Sequence, residues 1–257
     1  MDKIKIKPRL KQDYQLSNYC PTEGNNFAVL AAKTVISERG KTNFNPLFLF
    51  GPTGCGKTHL LHAIGNEILK NSPDTCVLYV SASEYKMMYF DALKANRLVD
   101  FQSFYDKVDV LLLDDIQDLA GQGCQSVLLK TFNQFHLDGK QVILTSSSDV
   151  DEMARNIDTR LLSHCRWGLS VEMSGITDAD RRGIVEYYAP DFPKSVKGYL
   201  SKLPLEDVGL FKGIITSIKA RCAKTRNDIR VAKNVVALIL GTNEKGNVLD
   251  DVQESTK

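Results

Sequence analysis

A glycine-rich stretch between two apolar segments carries the clearest chemistry in this sequence. Residues 51–58 read GPTGCGKT, which fits the pattern G-x-x-x-x-G-K-[ST]. The glycines of this pattern let successive backbone N–H groups turn towards a chain of phosphates, while Lys57 reaches the β- and γ-phosphates and Thr58 places its hydroxyl on Mg²⁺. A chance glycine-rich turn is the alternative, but a predicted strand (47–50) and a predicted helix (59–69) flank the stretch as the motif requires. The sequence therefore predicts a site for ATP or ADP with Mg²⁺.

Two adjacent carboxylates follow another apolar run, in LLLDDIQ at 111–117. In a nucleotide site of this kind, Asp114 would hold the Mg²⁺ through water and Asp115 would orient the attacking water. A strand end that is merely solvated has no need of two such groups. The pair therefore favours a catalytic or metal-binding strand end.

A third apolar run, QVILTSSSD at 141–149, ends in hydroxyl residues. At that position a polar side chain could touch the γ-phosphate or its water, although such residues are also ordinary turn formers. The three candidates are Thr145, Ser146 and Ser147.

The order of apolar runs predicts the fold that positions these groups. Between 45 and 173, five short, continuous apolar runs alternate with helical patterns, which is typical of a parallel sheet covered on both faces. From 177 onward the patterns are helical without strands, and prolines divide them, so we expect a small helical bundle. The predicted fold class is α/β, a P-loop parallel-sheet sandwich with a small C-terminal helical domain.

We predict four parts along the chain. They are an N-terminal extension (1–15), the α/β nucleotide-binding domain (16–174), the helical domain (175–240) and a polar, flexible tail (241–257).

Composition limits the function further. The formal net charge of +2 gives no strongly basic field, so any nucleic-acid contact would have to come from a local patch. The six cysteines are scattered without C-x-x-C pairs, which fits a reducing cytosol better than a zinc site or a disulfide framework. No apolar segment reaches membrane-spanning length. We therefore expect a cytoplasmic protein with no membrane partner.

Taken together, several stretches resemble the AAA+ module of the bacterial replication initiator DnaA and its small regulatory relatives of the Hda type. The resemblance covers about residues 16–236, in the family's order and spacing. It implies an AAA+ fold in which the helical domain is a lid that closes over the nucleotide. The matching stretches are NPLFLFGPTGCGKTHLLHAIGNEI, VLYVSASEY, VDVLLLDDIQDLAG, KTFNQFHLDGKQVILTSS and RLLSHCRWGLSVEM.

The resemblance also implies a base pocket, because in the family the segment before the P-loop holds the adenine. Here that segment is LSNYCPTEGNN at 16–26. Asp115 is the predicted catalytic residue, and Thr58 and Asp114 are the predicted metal-side residues. The predicted nucleotide-binding residues are Tyr19, Cys20, Pro21, Gly51, Pro52, Thr53, Gly54, Cys55, Gly56, Lys57, Thr58, His59 and Ser147.

The sequence departs from the family where relatives carry an arginine finger in a D-R-L-x-S-R-F stretch. Here DTRLLSHCRW (158–167) keeps Arg160 but has His164 at the finger position. A neutral imidazole is a poor replacement for an always-charged guanidinium beside transferring phosphate. We interpret His164 as a plain surface residue, and leave open whether Arg166 replaces the finger.

Two further groups that sense the γ-phosphate in relatives are changed. Gly209 stands where relatives have the lid arginine, and Ser147 stands in place of an aspartate. The departures predict nucleotide binding without efficient hydrolysis or sharp discrimination between ATP and ADP, so at most a weak ATPase.

The leading hypothesis is a regulator of replication initiation that docks on a DnaA-type initiator, or on itself, through the AAA+ interface. We expect at most weak DNA contact, because the family's DNA-reading domain has no counterpart and residues 118–126 contain no basic side chain. QLSNY at 15–19 partly matches a clamp-binding peptide but also aligns with the adenine-side segment, so sliding-clamp binding is not predicted. The alternatives are a helicase-loader or transposition-helper ATPase, and a degenerate initiator paralogue whose nucleotide only stabilises the fold.

Overall fold

The computed structural model describes residues 6–40, 42–119, 122–222 and 229–241. The chain divides into two compact units, residues 1–174 and 175–257. The tail predicted from 241 onward lies, apart from Gly241, outside the described residues. In the part of the chain that is described, no helix combines the length and apolar character needed to cross a membrane.

The first unit is built on a five-stranded parallel sheet, as the apolar runs predict, which confirms the α/β fold class. The strand order is β2-β3-β4-β1-β5, so β1 lies between β4 and β5, and β3 lies between β2 and β4. Because all strands are parallel, their carboxyl ends share one edge of the sheet. The strands are β1 (Leu47–Phe50), β2 (Val77–Ser81), β3 (Val110–Asp114), β4 (Gln141–Ser146) and β5 (Leu169–Glu172).

Seven α-helices connect or cover these strands within the described part of the first unit. They are α1 (Asn26–Ser37), α2 (Lys57–Asn71), α3 (Ala82–Lys94), α4 (Leu98–Tyr105), α5 (Gln122–Leu137), α6 (Val150–Met153) and α7 (Thr159–Cys165). Local chemistry sets several of their starts. For example, Ser81 and Glu84 form a capping box at the start of α3, each side chain bonding the other's backbone N–H.

Alternate residues of the central strands face two cores, one on each side of the sheet. Leu111 and Leu113 of β3 pack in one core, and Val110 and Leu112 pack in the other with residues of α1 and α2. Asp114 follows Leu112 by two positions, so it shares the α2 face of the sheet. This alternation places the acidic strand end beside the helix that follows the P-loop.

The described residues of the second unit contain four α-helices and no strand. Its helices are α8 (Asp178–Tyr188), α9 (Lys194–Leu200), α10 (Val208–Cys222) and α11 (Ile229–Leu240). A capping box between Thr177 and Asp180 starts α8, and Pro193 immediately precedes α9.

Candidate nucleotide site

The P-loop turns by means of three glycines with positive φ angles. Gly51, Gly54 and Gly56 have φ values of 146°, 84° and 100°, which L side chains rarely adopt. A Cβ on Gly51 would lie 1.9 Å from the carbonyl oxygen of Met173, so the loop leaves β1 pressed against the end of β5. The loop therefore needs glycine for both conformation and space.

Lys57 is the first residue of α2, and its ammonium group folds back on the loop. The side chain is buried, and Nζ donates to the carbonyl oxygens of Gly51 at 2.7 Å and Pro52 at 2.8 Å. Among the described residues, no carboxylate lies within ion-pair distance of Lys57. A buried cation held by neutral carbonyls is suited to an anionic ligand.

The other predicted P-loop residues follow from this arrangement. Cys55 is buried beneath the loop, and burial raises the pKa of its thiol although nearby Lys57 opposes that shift. Thr58 is the second residue of α2 and is partly buried, whereas Pro52 and Thr53 are exposed on the loop. The loop backbone is thus open to a ligand while its lysine is anchored.

Asp114 ends β3 as a buried carboxylate held between two neighbouring strands. Its Oδ2 accepts a hydrogen bond from Tyr79 Oη of β2 at 2.9 Å, and its Oδ1 accepts one from Thr145 Oγ1 of β4. Burial, and next the charge of Asp114, raise the pKa of Tyr79, so the phenol stays protonated as a donor. The sequence pattern did not single out Tyr79, because it is an ordinary residue within a strand.

Asp115 has left-handed backbone angles (φ 56°) and is tied to both neighbouring segments. Its N–H donates to Thr145 Oγ1 at 2.9 Å, and its Oδ1 accepts from Gln117 Nε2 at 3.1 Å. Gln117 Oε1 in turn accepts from the N–H of Ser147 at 3.1 Å. The structure therefore brings Asp115 and Ser147 together through Gln117, which sequence reasoning missed.

The predicted adenine-side segment lies against the P-loop. Tyr19 and Cys20 are buried while Pro21 is exposed. The Tyr19 ring meets His59 edge-on at 5.1 Å, and a Cβ on Gly56 would lie 2.8 Å from Tyr19 Oη. The segment before α1 therefore packs directly against the end of the P-loop and the start of α2.

One face of α2 holds the preceding segment in place. His59 stacks on Tyr14 with ring centroids 4.5 Å apart, and its Nε2 lies 3.0 Å from Asn18 Oδ1. One turn later, His62 Nδ1 accepts from the N–H of Lys11 at 3.4 Å. Burial, then Lys11 and His59, lower the pKa of His62 to about 4.

The interpretation of His164 as a plain surface residue is wrong. His164 is 7% exposed and packs on Trp167 with ring centroids 3.7 Å apart, near Phe132 of α5. Burial, and next His136, lower the pKa of His164, which keeps the imidazole neutral. His164 is therefore an aromatic packing residue in this structure.

Two arginines of the same segment remain exposed and paired. Arg160 binds Asp158 at 2.8 Å, and Arg166 binds Asp151 at 2.5 Å. Surface pairs of this kind are weak, so either guanidinium can exchange its partner at small cost. In the second unit, Gly209 is an exposed residue in the first turn of α10.

The donor set at the strand ends fits a divalent cation. Asp114 offers a buried carboxylate whose protein partners, among the described residues, are two neutral hydroxyl groups. Uncompensated burial of a carboxylate is costly, and Mg²⁺ prefers oxygen ligands with few protein carboxylates. Thr58 and Asp114 are therefore suited to the metal side of a nucleotide.

Residues 10–172 match the family model of the bacterial DnaA ATPase domain. The chain belongs to this family. It is 34% identical over 258 residues to the chromosomal replication initiator DnaA of Flavobacterium psychrophilum, covering 98% of this chain and 54% of that relative. With DnaA of Bacteroides fragilis it shares 34% identity over 254 residues, covering 96% of this chain and 53% of the relative. The chain thus spans about half the length of the curated DnaA relatives it matches.

Solved DnaA structures agree with this assignment. Domain III of the Thermotoga maritima DnaA has a TM-score of 0.79 and 31% identity, covering 90% of this chain and 97% of that one. DnaA from Aquifex aeolicus, solved with AMPPCP, has a TM-score of 0.77 and 30% identity, covering 90% and 72%. The AAA+ fold expected from the resemblance is confirmed.

Proposed function

We propose that this chain is a DnaA-type AAA+ nucleotide-binding protein that acts in initiation of chromosomal DNA replication or in its regulation. The observation that carries this proposal is a buried, carbonyl-held Lys57 at the start of α2, together with a buried Asp114 at the end of β3. A relative of the same fold was solved with the ATP analogue AMPPCP.

In this proposal, each residue of the site has one role. The backbone N–H groups of the P-loop bind the phosphate chain, and Lys57 leaves its two carbonyls to bind the β- and γ-phosphates. Thr58 and Asp114 would hold the magnesium ion, which would supply positive charge to the phosphate oxygens. Asp115, oriented by Gln117, accepts a hydrogen bond from water near the γ-phosphate.

The proposal also assigns the residues that contact the base and the bounds of the two domains. Tyr19, Cys20 and Pro21 would face the base, and residues 16–174 would form the nucleotide-binding domain. Residues 175–240 would act as its lid, as family precedent suggests.

We infer that turnover is slow. His164 is neutral and packed against Trp167, so it supplies no charge to a neighbouring subunit's phosphate. Gly209 has no side chain, and Ser147 carries no charge at the strand end. The protein would therefore bind ATP and ADP with similar affinity and hydrolyse ATP weakly.

The proposed partner is a DnaA-type initiator or a second copy of this chain, met through the AAA+ interface that includes residues 158–167. The exposed Arg160 would exchange Asp158 for a partner's nucleotide or carboxylate. DNA contact would be secondary, although one relative was solved with AMPPCP and single-stranded DNA.

Sedimentation velocity of this protein mixed with full-length DnaA from the same organism, in ATP and then in ADP, tests the docking proposal. We expect a nucleotide-dependent complex that Arg160→Ala weakens and the matched surface variant Arg97→Ala leaves intact. Independent sedimentation in both nucleotides would contradict docking.

A helicase-loader-type ATPase is the second candidate, because Asp115 and Gln117 keep an ordered arrangement at the strand end. Steady-state phosphate release, with and without single-stranded DNA, separates the two. Turnover at the typical enzymatic rate of about 1 per second or faster would favour the loader.

A further inference from the structure

Tyr79 reaches Asp114 because of the register between two parallel strands. Tyr79 of β2 is paired with Leu112 of β3, and Ser81 is paired with Asp114. Side chains two residues apart on a strand share a face, so Tyr79 and Asp114 lie diagonally on the same side of the sheet. A tyrosine is long enough to span that diagonal, and its Oη lies 2.9 Å from Asp114 Oδ2.

The phenol is held in place by its surroundings. The Tyr79 ring stacks on His62 of α2, with centroids 4.0 Å apart and planes 29° from parallel. The backbone N–H of Tyr79 donates to the Pro8 carbonyl at 3.0 Å, and this bond fixes the backbone of β2 at Tyr79. A donor fixed from both sides loses little freedom when it binds a carboxylate.

Thr145 holds the other oxygen of the same carboxylate. Thr145 is fully buried at the end of β4, and its hydroxyl donates to Asp114 Oδ1 while accepting from the N–H of Asp115. Its hydroxyl is therefore committed to the two aspartates rather than open to a phosphate. Asp114 is thus clamped by one hydroxyl from each neighbouring strand.

We propose that Tyr79 and Thr145 are positioning residues that fix the Asp114 carboxylate in the orientation required to hold Mg²⁺ at the nucleotide. This inference rests on the proposed function, since it assigns a role towards the metal of that same site. Outer partners of metal-holding carboxylates orient them, and their removal weakens metal affinity. The competing explanation is that the hydroxyl groups only satisfy a buried carboxylate and stabilise the fold.

The test compares Tyr79→Phe and Thr145→Val with the parent protein, using a fluorescent mant-ATP probe titrated in EDTA and at increasing Mg²⁺. Tyr79→Phe keeps the ring that stacks on His62 and removes only Oη. Tyr105→Phe is the matched control, because Tyr105 is fully buried in the same unit and its hydroxyl has no hydrogen-bond partner among the described residues.

We expect both clamp variants to need about 10-fold more Mg²⁺ for half-maximal gain in mant-ATP affinity, with binding in EDTA unchanged. The control variant should behave like the parent. A purely structural role would instead weaken binding equally in EDTA and in Mg²⁺, and that outcome overturns the inference. Unaltered Mg²⁺ dependence in a folded Tyr79→Phe or Thr145→Val protein overturns it as well.

The same titration distinguishes failure of the positioning role from failure of the proposed nucleotide site. If the parent fails to bind mant-ATP, or if Asp114→Asn leaves the Mg²⁺ dependence unchanged, the proposed nucleotide site is wrong and the positioning role falls with it. If the parent and Asp114→Asn differ while Tyr79→Phe equals the parent, only the positioning role is wrong. Thermal unfolding in EDTA without nucleotide verifies that each variant is folded.

Discussion

Charged groups are buried in the candidate nucleotide site but exposed in the segment around α7 (residues 158–167). In the first, Lys57 at the start of α2 and Asp114 at the end of β3 are buried charges that keep neutral hydrogen-bond partners. In the second, His164, at the position where the resemblance implies an arginine finger, is buried against an aromatic ring, while Arg160 and Arg166 bind surface partners. Burying a charge is costly, so its retention at the first site indicates a ligand that compensates it.

This difference separates two capacities that occur together in AAA+ proteins. Binding the phosphates of a nucleotide, which we call the phosphate cradle and assign to residues 51–58 and Asp114, needs only groups within one chain. Responding to a nucleotide bound by a neighbouring subunit needs a charged side chain at the protein surface. We propose that this chain keeps the first set of groups and lacks part of the second. We therefore expect variants of the P-loop and strand ends to change nucleotide binding strongly, and variants of His164 to change stability.

The largest effect is expected for Lys57→Ala. Charge-assisted hydrogen bonds to phosphate contribute up to about 3 kcal/mol, so nucleotide affinity should fall about 100-fold. Isothermal titration calorimetry measures this, with Lys70→Ala as the control because Lys70 is an exposed lysine of the same helix. Equal nucleotide affinity in Lys57→Ala and the parent protein would contradict phosphate binding by Lys57 of the P-loop.

A change in α7 should act on folding. His164→Arg would bring a guanidinium into the place where the imidazole packs against Phe132 and Trp167, and we expect a loss of about 2 kcal/mol in the free energy of unfolding. His164→Phe preserves an aromatic ring there and should cost less. Urea unfolding of both variants decides this, and an arginine variant as stable as the parent would show that the position is not a packing site.

The sequence predicted the sheet and the P-loop well, because both are local patterns. Continuous apolar runs mark the strands, and G-x-x-x-x-G-K-[ST] marks the loop. It did not predict α1, where exposed Phe27 and Leu30 add apolar residues outside the buried face and hide the helical period.

The missed functional contacts depend on distant parts of the chain. Tyr79 meets Asp114 only because β2 and β3 pair in one particular register, which no local pattern specifies. His164 is buried because α5 supplies Phe132 from more than thirty positions earlier. Without these distant contacts, the sequence favours the interpretation of His164 as a plain surface residue.

Lowering the pH should destabilise the first unit through His62. Its pKa is about 4 in the folded protein against an ordinary value of 6.5, so the unfolded chain binds the proton more readily between these values. Stability is fully present above about pH 7 and is lost as pH falls towards 4. Between pH 7 and 5.5 the loss from this group should be about 1 kcal/mol.

Urea unfolding at the two pH values measures this loss. His62→Phe keeps an aromatic ring against Tyr79 and should flatten the pH dependence by that amount. An unchanged pH dependence in this variant would show that His62 is not the group responsible.

The smallest effect is expected for Gln117→Ala. Its amide joins Asp115 to the N–H of Ser147 through two neutral hydrogen bonds of 3.1 Å each, so about 1 kcal/mol of unfolding free energy should be lost. Gln134→Ala is the control, since its exposed bond reaches only Asp138, just beyond the end of α5, and should contribute less than about 0.5 kcal/mol. Equal losses in the two variants, measured by urea unfolding, would contradict an ordering role for Gln117.

The central claim is that the phosphate cradle is retained while sensing of the γ-phosphate is reduced. Calorimetric titration of the unmodified protein with ATP and with ADP, both in Mg²⁺, tests it most directly. We expect both to bind, with dissociation constants less than about 10-fold apart, because His164, Gly209 and Ser147 offer no charged side chain to the γ-phosphate in the proposed site. A much larger preference for ATP, or absence of binding by either nucleotide, would contradict it.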